Sequence, residues 1–343
     1  MQTNKSFPFW FGLDVSKDSF EAAGGSVVRS DGIRRPKSGS FAIDQEGVAR
    51  FMKWAQEVAG CFEFGVAMEA TGIYSQKLAR LIHAASPSQH VAICNAASIS
   101  LYARSYTEEK NDQNDAVFIT RFALDRNPAE PRRPSKAEAN LKEAVRTRNR
   151  LVECRTSLKN ALESLDDAET KKIQQQAIGG IDKAIAHLDK KIERMVDSDE
   201  TIKQEVSRMA TLPGVGRLSA TIIYAELGSM KNYTRKQISA MSGVCPVNKI
   251  SGTSVHKHTI SHRGSKLLRQ ILYLDSLQAI KKIPAVAEFH QRMIGKAESS
   301  KMSARCACMR KVLLILHAMV VTEKDYDPNF KSEKNVKNVT KSA

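Results

Sequence analysis

Apolar residues in the first third of the chain come in short runs, and those in the middle recur at helical spacing. Phe9 to Val15 is such a run, interrupted near its end by Asp14, and predicts a strand. Ser26 to Ser30 and Ser38 to Ile43 read as further strands on either side of the turn signal Asp31-Gly32. Gln45 to Val58 reads as a helix, Phe62 to Met68 as a strand, Gly72 to Ala84 as a helix and Val91 to Cys94 as a short strand. A helix then begins near Asp112 and runs to about Asp125. Strands first, then strand and helix in alternation, predict an α/β domain with a mixed sheet over residues 1–130.

The segment Asn127 to Pro134, NPAEPRRP, carries three prolines in eight residues and reads as a linker. Beyond it, Leu141, Val145, Arg148, Leu151, Arg155, Leu158, Leu162 and Leu165 keep a spacing of three and four. A second run holds Ile181, Ile185, Leu188, Ile192 and Met195, and the Gly179-Gly180 pair is expected to break its start. Two heptad-like stretches predict a helical hairpin or coiled coil, with linker and coiled coil together spanning 131–205. Arg148 and Arg155 at seam positions suit a wet or shared interface, which favours pairing between chains over an antiparallel pair within one.

A mostly helical region follows over 206–325. Its LPGVGRLSATIIYAEL places a Pro-Gly-x-Gly turn between two helices, as in helix-hairpin-helix modules. Such a turn can aim the backbone N–H groups around Gly214 and Gly216 at a nucleic-acid phosphate, although the same turn also serves as a plain connection. From Lys249 to Arg269 the chain carries five Lys or Arg and three His among serines and threonines. A last helix is expected from Met302 to Val321, and the lysine-rich tail 326–343 is expected to be disordered.

Composition sharpens the choice of partner. Fifty-three basic residues against 37 acidic ones leave a net charge of +16 over 343 residues, which favours a polyanion such as DNA or RNA. The six cysteines form no CxxC pair, so neither a disulfide framework nor a zinc knuckle is indicated. The start lacks the apolar core of a signal peptide. The longest apolar run, Val312 to Val321, is about half a membrane span and contains His317. A soluble, cytoplasmic protein without membrane partners is expected.

Four acids carry the candidate chemistry. Asp14 and Glu69 each end an apolar strand, while Asp112 and Asp115 share one face at a helix start. A carboxylate beside a buried strand is costly unless it is paired or holds a cation. Together the four can hold Mg²⁺ against phosphate oxygens, the arrangement that runs phosphodiester cleavage and transfer. Taken singly, each is also an ordinary turn, surface or first-turn acid. Ser251 opens SGTSV, where the following glycine lets backbone approach a phosphate and the hydroxyl can attack phosphorus. Ser254 competes with it as nucleophile, and Lys257, Arg263, Lys266 and Arg269 are the candidate phosphate contacts. Rival readings are a junction-resolving nuclease using water, a tyrosine recombinase built on the crowded His262, Arg263, Arg269 and Tyr273, and a non-catalytic DNA-binding coiled coil.

The motifs GLDVSKDSF, MEATGIY, NDQNDA, LPGVGRLSA, ISAMSGVCP, SGTSV and RGSKLLRQILY, in that order, resemble the DEDD transposases of the IS-one-ten insertion-sequence family, which also includes pilin-gene invertases. The resemblance implies a RuvC-like, RNase H-type domain, a coiled-coil middle and a serine-bearing transposase domain. It implies that Asp14, Glu69, Asp112 and Asp115 bind Mg²⁺ and that Ser251 forms a covalent link to DNA. It further implies a composite site between subunits of an oligomer, and for insertion-sequence members a structured guide RNA.

Overall fold

The structure, a computed structural model, describes residues 6–26, 37–60, 63–104, 115–251, 255–261, 264–295 and 300–329, with 247–251 and 255–259 described as backbone. The chain divides into two compact units, Met1–Arg133 and Pro134–Ala343.

The first unit is a five-stranded mixed sheet with helices on both faces. Its strands are β1 (Phe9–Val15), β2 (Ser19–Ser26), β3 (Lys37–Ala42), β4 (Gly65–Glu69) and β5 (His90–Cys94), in spatial order β3-β2-β1-β4-β5. The β3-β2-β1 half is antiparallel, while β1, β4 and β5 run parallel. Helices α1 (Gln45–Ala59) and α2 (Ile73–Ala85) cover the face that carries Phe11, Leu13, Val66 and Met68. Here Phe11 meets Phe51, Trp54 and Phe64 edge-on, with the closest centroid pair at 5.0 Å. Burial of each such ring stabilises the fold by about 2–3 kcal/mol. On the other face, α3 (Ala96–Arg104) and α4 (Asp115–Arg126) pack through Ile99, Ile119 and Ala123 against Trp10, Ala67, Ala92 and Cys94.

Two of these elements depart from the expectation. The second strand is SFEAAGGS, upstream of the expected Ser26–Ser30 run, of which only Ser26 lies among the described residues. Small residues weaken its strand signal, but they are required: a Cβ on Gly24 would press into the Phe11 ring at under 3.0 Å. Helix α3 was also not expected, and its nine residues are too few for a clear helical period.

The second unit begins with the helical pair α5 (Lys136–Leu162) and α6 (Ala168–Asp197). Ser135 and Glu138 form a capping box, with Glu138 N donating to Ser135 Oγ at 3.1 Å and Ser135 N to Glu138 Oε2 at 2.8 Å. The pair folds back on itself within one chain. Arg148 Nε lies 2.7 Å from Asp189 Oδ1, and Arg155 Nη1 lies 2.9 Å from Asp182 Oδ1. The seam arginines therefore find acids in cis, and they no longer argue for a seam shared between chains. Nor does Gly179-Gly180 break the second helix, since α6 runs through both. The cost of about 1 kcal/mol per glycine is offset by packing against α5.

The remaining helices are α7 (Glu200–Ala210), α8 (Arg217–Leu227), α9 (Arg235–Ser242), α10 (Lys266–Lys282), α11 (Pro284–Ile294) and α12 (Lys301–Thr322). They share one core with Leu141 and Val145 of α5 and Ile192 and Val196 of α6. An ion pair between exposed Arg146 and buried Glu226 fixes α5 to α8: Arg146 holds Glu226 through Nε at 2.8 Å and Nη2 at 2.9 Å, and Lys142 Nζ donates to Glu226 O at 3.1 Å. Burial alone would push the Glu226 carboxyl up, but the Arg146 guanidinium and Lys142 outweigh it and hold it below the usual carboxylate range. Between α9 and α10 lies a hairpin that was not expected, β6 (Pro246–Ser251) paired antiparallel with β7 (Val255–Ile260). No described helix is long and apolar enough to cross a membrane.

One buried acid in this core has a measurable cost. Asp275 of α10 is 3 % exposed, and its Oδ2 has no hydrogen-bond partner among the described residues. Burial pushes its carboxyl up to about 7, against the smaller opposing effect of a hydrogen bond with Ser219. The native state therefore holds a proton that the unfolded chain releases from about pH 4 upward. Stability from this group falls as pH rises from about 4 to 7, and the loss is complete above that window. Asp275→Asn should leave the melting temperature nearly unchanged at pH 4 and raise stability by about 2–4 kcal/mol at pH 8. Thermal melts across pH check this, and an equal effect at both ends would mean that ionisation of Asp275 carries no cost.

Candidate functional site

The sheet brings two of the sequence-singled acids side by side. Leu13 of β1 stands beside Met68 of β4, so the next residues, Asp14 and Glu69, sit beside each other at the same end of adjacent parallel strands. Strand alternation puts Asp14 on the face of Trp10 and Gly12, and Glu69 on the face of Ala67. That is the α3–α4 face, because Trp10 and Ala67 pack with Ile119 and Ala123 of α4.

Helix α4, which carries a third candidate acid at its start, packs on that face. A Cβ on Gly12 would come within 3.0 Å of Ala116 O and Thr120 N, so the helix rests directly on the strand backbone. Asp115, the first residue of α4, immediately precedes Ala116 and is half-buried. Asp112 lies outside the described residues. Glu21, which the sequence reading passed over, pairs with Asp14 across β1 and β2. Glu21, Asp14 and Glu69 thus form one row across three strands, and like charges directly opposite repel. The next position in the row is Cys94, whose thiol burial pushes up to about 11. It stays protonated near neutral pH and offers no thiolate.

Among the described residues no three His, Cys, Asp or Glu side chains stand together as a metal-binding group. The donors nevertheless fit a hard divalent cation: they are carboxylates in a repelling row, and oxygen is the ligand that Mg²⁺ prefers.

The serine region lies in the second unit. Ser251 closes β6 opposite Val255, which opens β7, so Ser251 stands at the end of the hairpin. Ser254, His262 and Arg263 lie outside the described residues, and Lys257 pairs in register with Lys249. Ser265 caps α10, accepting from Leu268 N at 3.1 Å. Lys266 at the start of that helix is exposed and 4.0 Å from Glu153, and Arg269 donates to Gly264 O at 3.1 Å. The two turn glycines differ. Gly214 has φ 102° and packs under α10, where a Cβ would meet Gln278 Cβ at 2.8 Å. Gly216 caps α8 and faces open space.

Carboxylates at the ends of adjacent inner strands and a basic helical unit with a serine on a hairpin suit work on a phosphodiester backbone, and comparison with known proteins identifies the class as transposase. Residues 11–167 match the family profile of DEDD transposases of the IS110 type, described as a transposase. Residues 206–291 match the profile described as transposase, IS116/IS110/IS902 family. The chain belongs to the IS110 family of insertion-sequence transposases. It is 24 % identical over 294 residues to the transposase for insertion sequence element IS1111A of Coxiella burnetii, covering 76 % of this chain and 75 % of that one. It is 30 % identical over 98 residues to the transposase for insertion sequence element IS1328 of Yersinia enterocolitica, which covers 28 % of each chain.

The Gly12 contact has a direct test. Gly12→Ala should cost about 3 kcal/mol in chemical denaturation, because backbone atoms cannot move aside as a flexible side chain can. Gly180→Ala, with nothing within 4 Å of the added Cβ, should instead stabilise by about 0.5–1 kcal/mol. Equal effects at the two sites would remove the case for close approach at Gly12.

Proposed function

We propose that the protein is a site-specific DNA recombinase that moves its own genetic element through a serine–DNA covalent intermediate. The observation that carries this reading is the placing of Asp14 and Glu69 at adjacent strand ends on the face that α4, which begins at Asp115, covers. On this reading the first unit is a RuvC-like, RNase H-type domain. Asp14, Glu69, Asp112 and Asp115 hold Mg²⁺, which when bound polarises phosphate oxygens. The strand ends fix two of these carboxylates rigidly, and the helix start fixes a third.

Ser251 supplies the nucleophile. Its Oγ–P bond forms as one ester P–O bond of the DNA backbone breaks, the hydroxyl proton leaves to solvent, and the departing sugar oxygen takes one up. Reversal of this exchange with a different sugar oxygen joins the strand to a new partner. Lys257, Arg263, Lys266 and Arg269 steer the phosphates, and Gly216 offers open backbone at a helix start. The distal part of the α5–α6 pair supports assembly, since Leu151, Leu158 and Leu162 are only half-buried within one chain. An oligomer joined there lets the acids of one subunit serve the serine of another. The excess positive charge leaves room for a structured guide RNA beside DNA. Such work is cytoplasmic.

A denaturing gel with labelled element-end DNA and Mg²⁺ tests the reading. Wild type should give a protein–DNA adduct, and Ser251→Ala should abolish it. An adduct that survives Ser251→Ala and is lost in Ser254→Ala assigns the chemistry to the other serine. Cleavage without any adduct makes the protein a water-using nuclease. Independently, replacing both Lys266 and Arg269 with Ala should flatten the plot of log affinity against log salt by about two. An unchanged slope places the DNA elsewhere.

A further inference from the structure

Thr120 joins three elements at one atom. Its Oγ1 accepts from Gly12 N at 3.0 Å and lies 2.8 Å from both Ala23 O and Ala116 O. The residue is fully buried. A hydroxyl has a single proton, so it donates to one of the two carbonyls at a time while accepting from Gly12. Gly12 and Ala23 are directly opposite each other in the β1–β2 ladder. A side chain from the helix has thus entered the hydrogen bonding of two strands.

The ordinary explanation is a helical threonine bonding back to the carbonyl four residues earlier. Ala116 O alone would satisfy that need. The further contacts with Gly12 and Ala23 have a location that matters. Gly12 lies two residues before Asp14 on the same face, and Thr120 is little more than one turn after Asp115. The missing Cβ at Gly12 lets the helix descend to the strand, and the hydroxyl then sets how far along the strand and how high above it the first turn sits.

We propose that Thr120 is a positioning residue for the acidic site. Its hydroxyl holds Asp115 at a fixed height over the strand ends carrying Asp14 and Glu69, and thereby tunes how these carboxylates share a divalent cation. This rests on the metal reading given above. Mg²⁺ demands near-ideal octahedral geometry, so a small displacement of one carboxylate weakens it more than a larger, more tolerant ion.

Full-length wild type, Thr120→Val, Thr120→Ser and Asp14→Asn should be compared for Mn²⁺ binding by electron paramagnetic resonance, for Mg²⁺ binding by competition, and for thermal melting. Thr120→Val keeps the shape and removes the hydroxyl. It should weaken Mg²⁺ on the order of tenfold, and Mn²⁺ less, while Thr120→Ser stays within about twofold of wild type. If Thr120→Val does not fold, Thr120→Cys takes its place and is read in the same way. Lower melting with both metal affinities unchanged would make Thr120 a residue of the fold alone and overturn the proposal. So would a serine variant as weak as the valine one. If instead wild type binds neither ion, or Asp14→Asn binds both as wild type does, the metal reading itself fails.

Discussion

Backbone contact between α4 and β1 is the constraint on which the candidate acidic face depends. A helix normally stands off a sheet by the thickness of two layers of side chains. At Gly12 one layer is missing, and the carbonyl of Ala116 meets the strand directly. The first turn of the helix, which begins at Asp115, is thereby brought down to the β1 backbone. A larger residue at Gly12 would lift the helix and displace its first turn, where Asp115 stands. Aromatic packing on the opposite face, around Phe11, keeps the strand from yielding in compensation.

Charge organises the ends of the linker and the base of the helical pair. Glu130 lies 2.7 Å from Arg133 Nε and 3.1 Å from His83 Nε2, and Arg133 donates to Pro87 O at 2.7 Å and Gln89 O at 3.2 Å. The proline-rich segment is thus tied to the first unit up to its last residues. Immediately afterwards the capping box starts α5. The Glu226 side chain is only 2 % exposed, so removal of Arg146 would leave a buried charge without its fork-shaped partner. Neither tie depends on the acids, and the scaffold is therefore stabilised independently of the site.

Long periodic elements were legible in the sequence, and short or irregular ones were not. The run ending at Val15 matches β1, and the leucine spacing after Pro134 matches the long α5. Strand β2 was missed because its alanines and glycines carry almost no strand propensity, although they are what Phe11 and Thr120 need. The hairpin at Ser251 was missed for a different reason. Its strands PVNKIS and VHKHTI are rich in polar and basic residues, and Val247 and Ile250 fall on opposite faces, so no apolar alternation marks the hairpin. Of the candidate site, the spacing singled out Asp14, Glu69, Asp112 and Asp115, of which the strand register sets Asp14 beside Glu69. The spacing did not point to Glu21, Gly12 or Thr120, whose relevance exists only once strands and helix are stacked.

The two ion pairs of the helical pair also act as a ruler. Arg148 and Arg155 are one heptad apart, and so are their partners Asp189 and Asp182. Sliding one helix by a heptad would rematch one pair and strand the other arginine and the other aspartate, so only one alignment satisfies both. The bend between the helices need not define that alignment, and its length is free to vary. Removing seven residues from each arm beyond Arg155 and Asp182 would shorten the structure by about 10 Å while leaving the alignment intact. The pair is in effect a strut whose reach is adjustable in whole heptads.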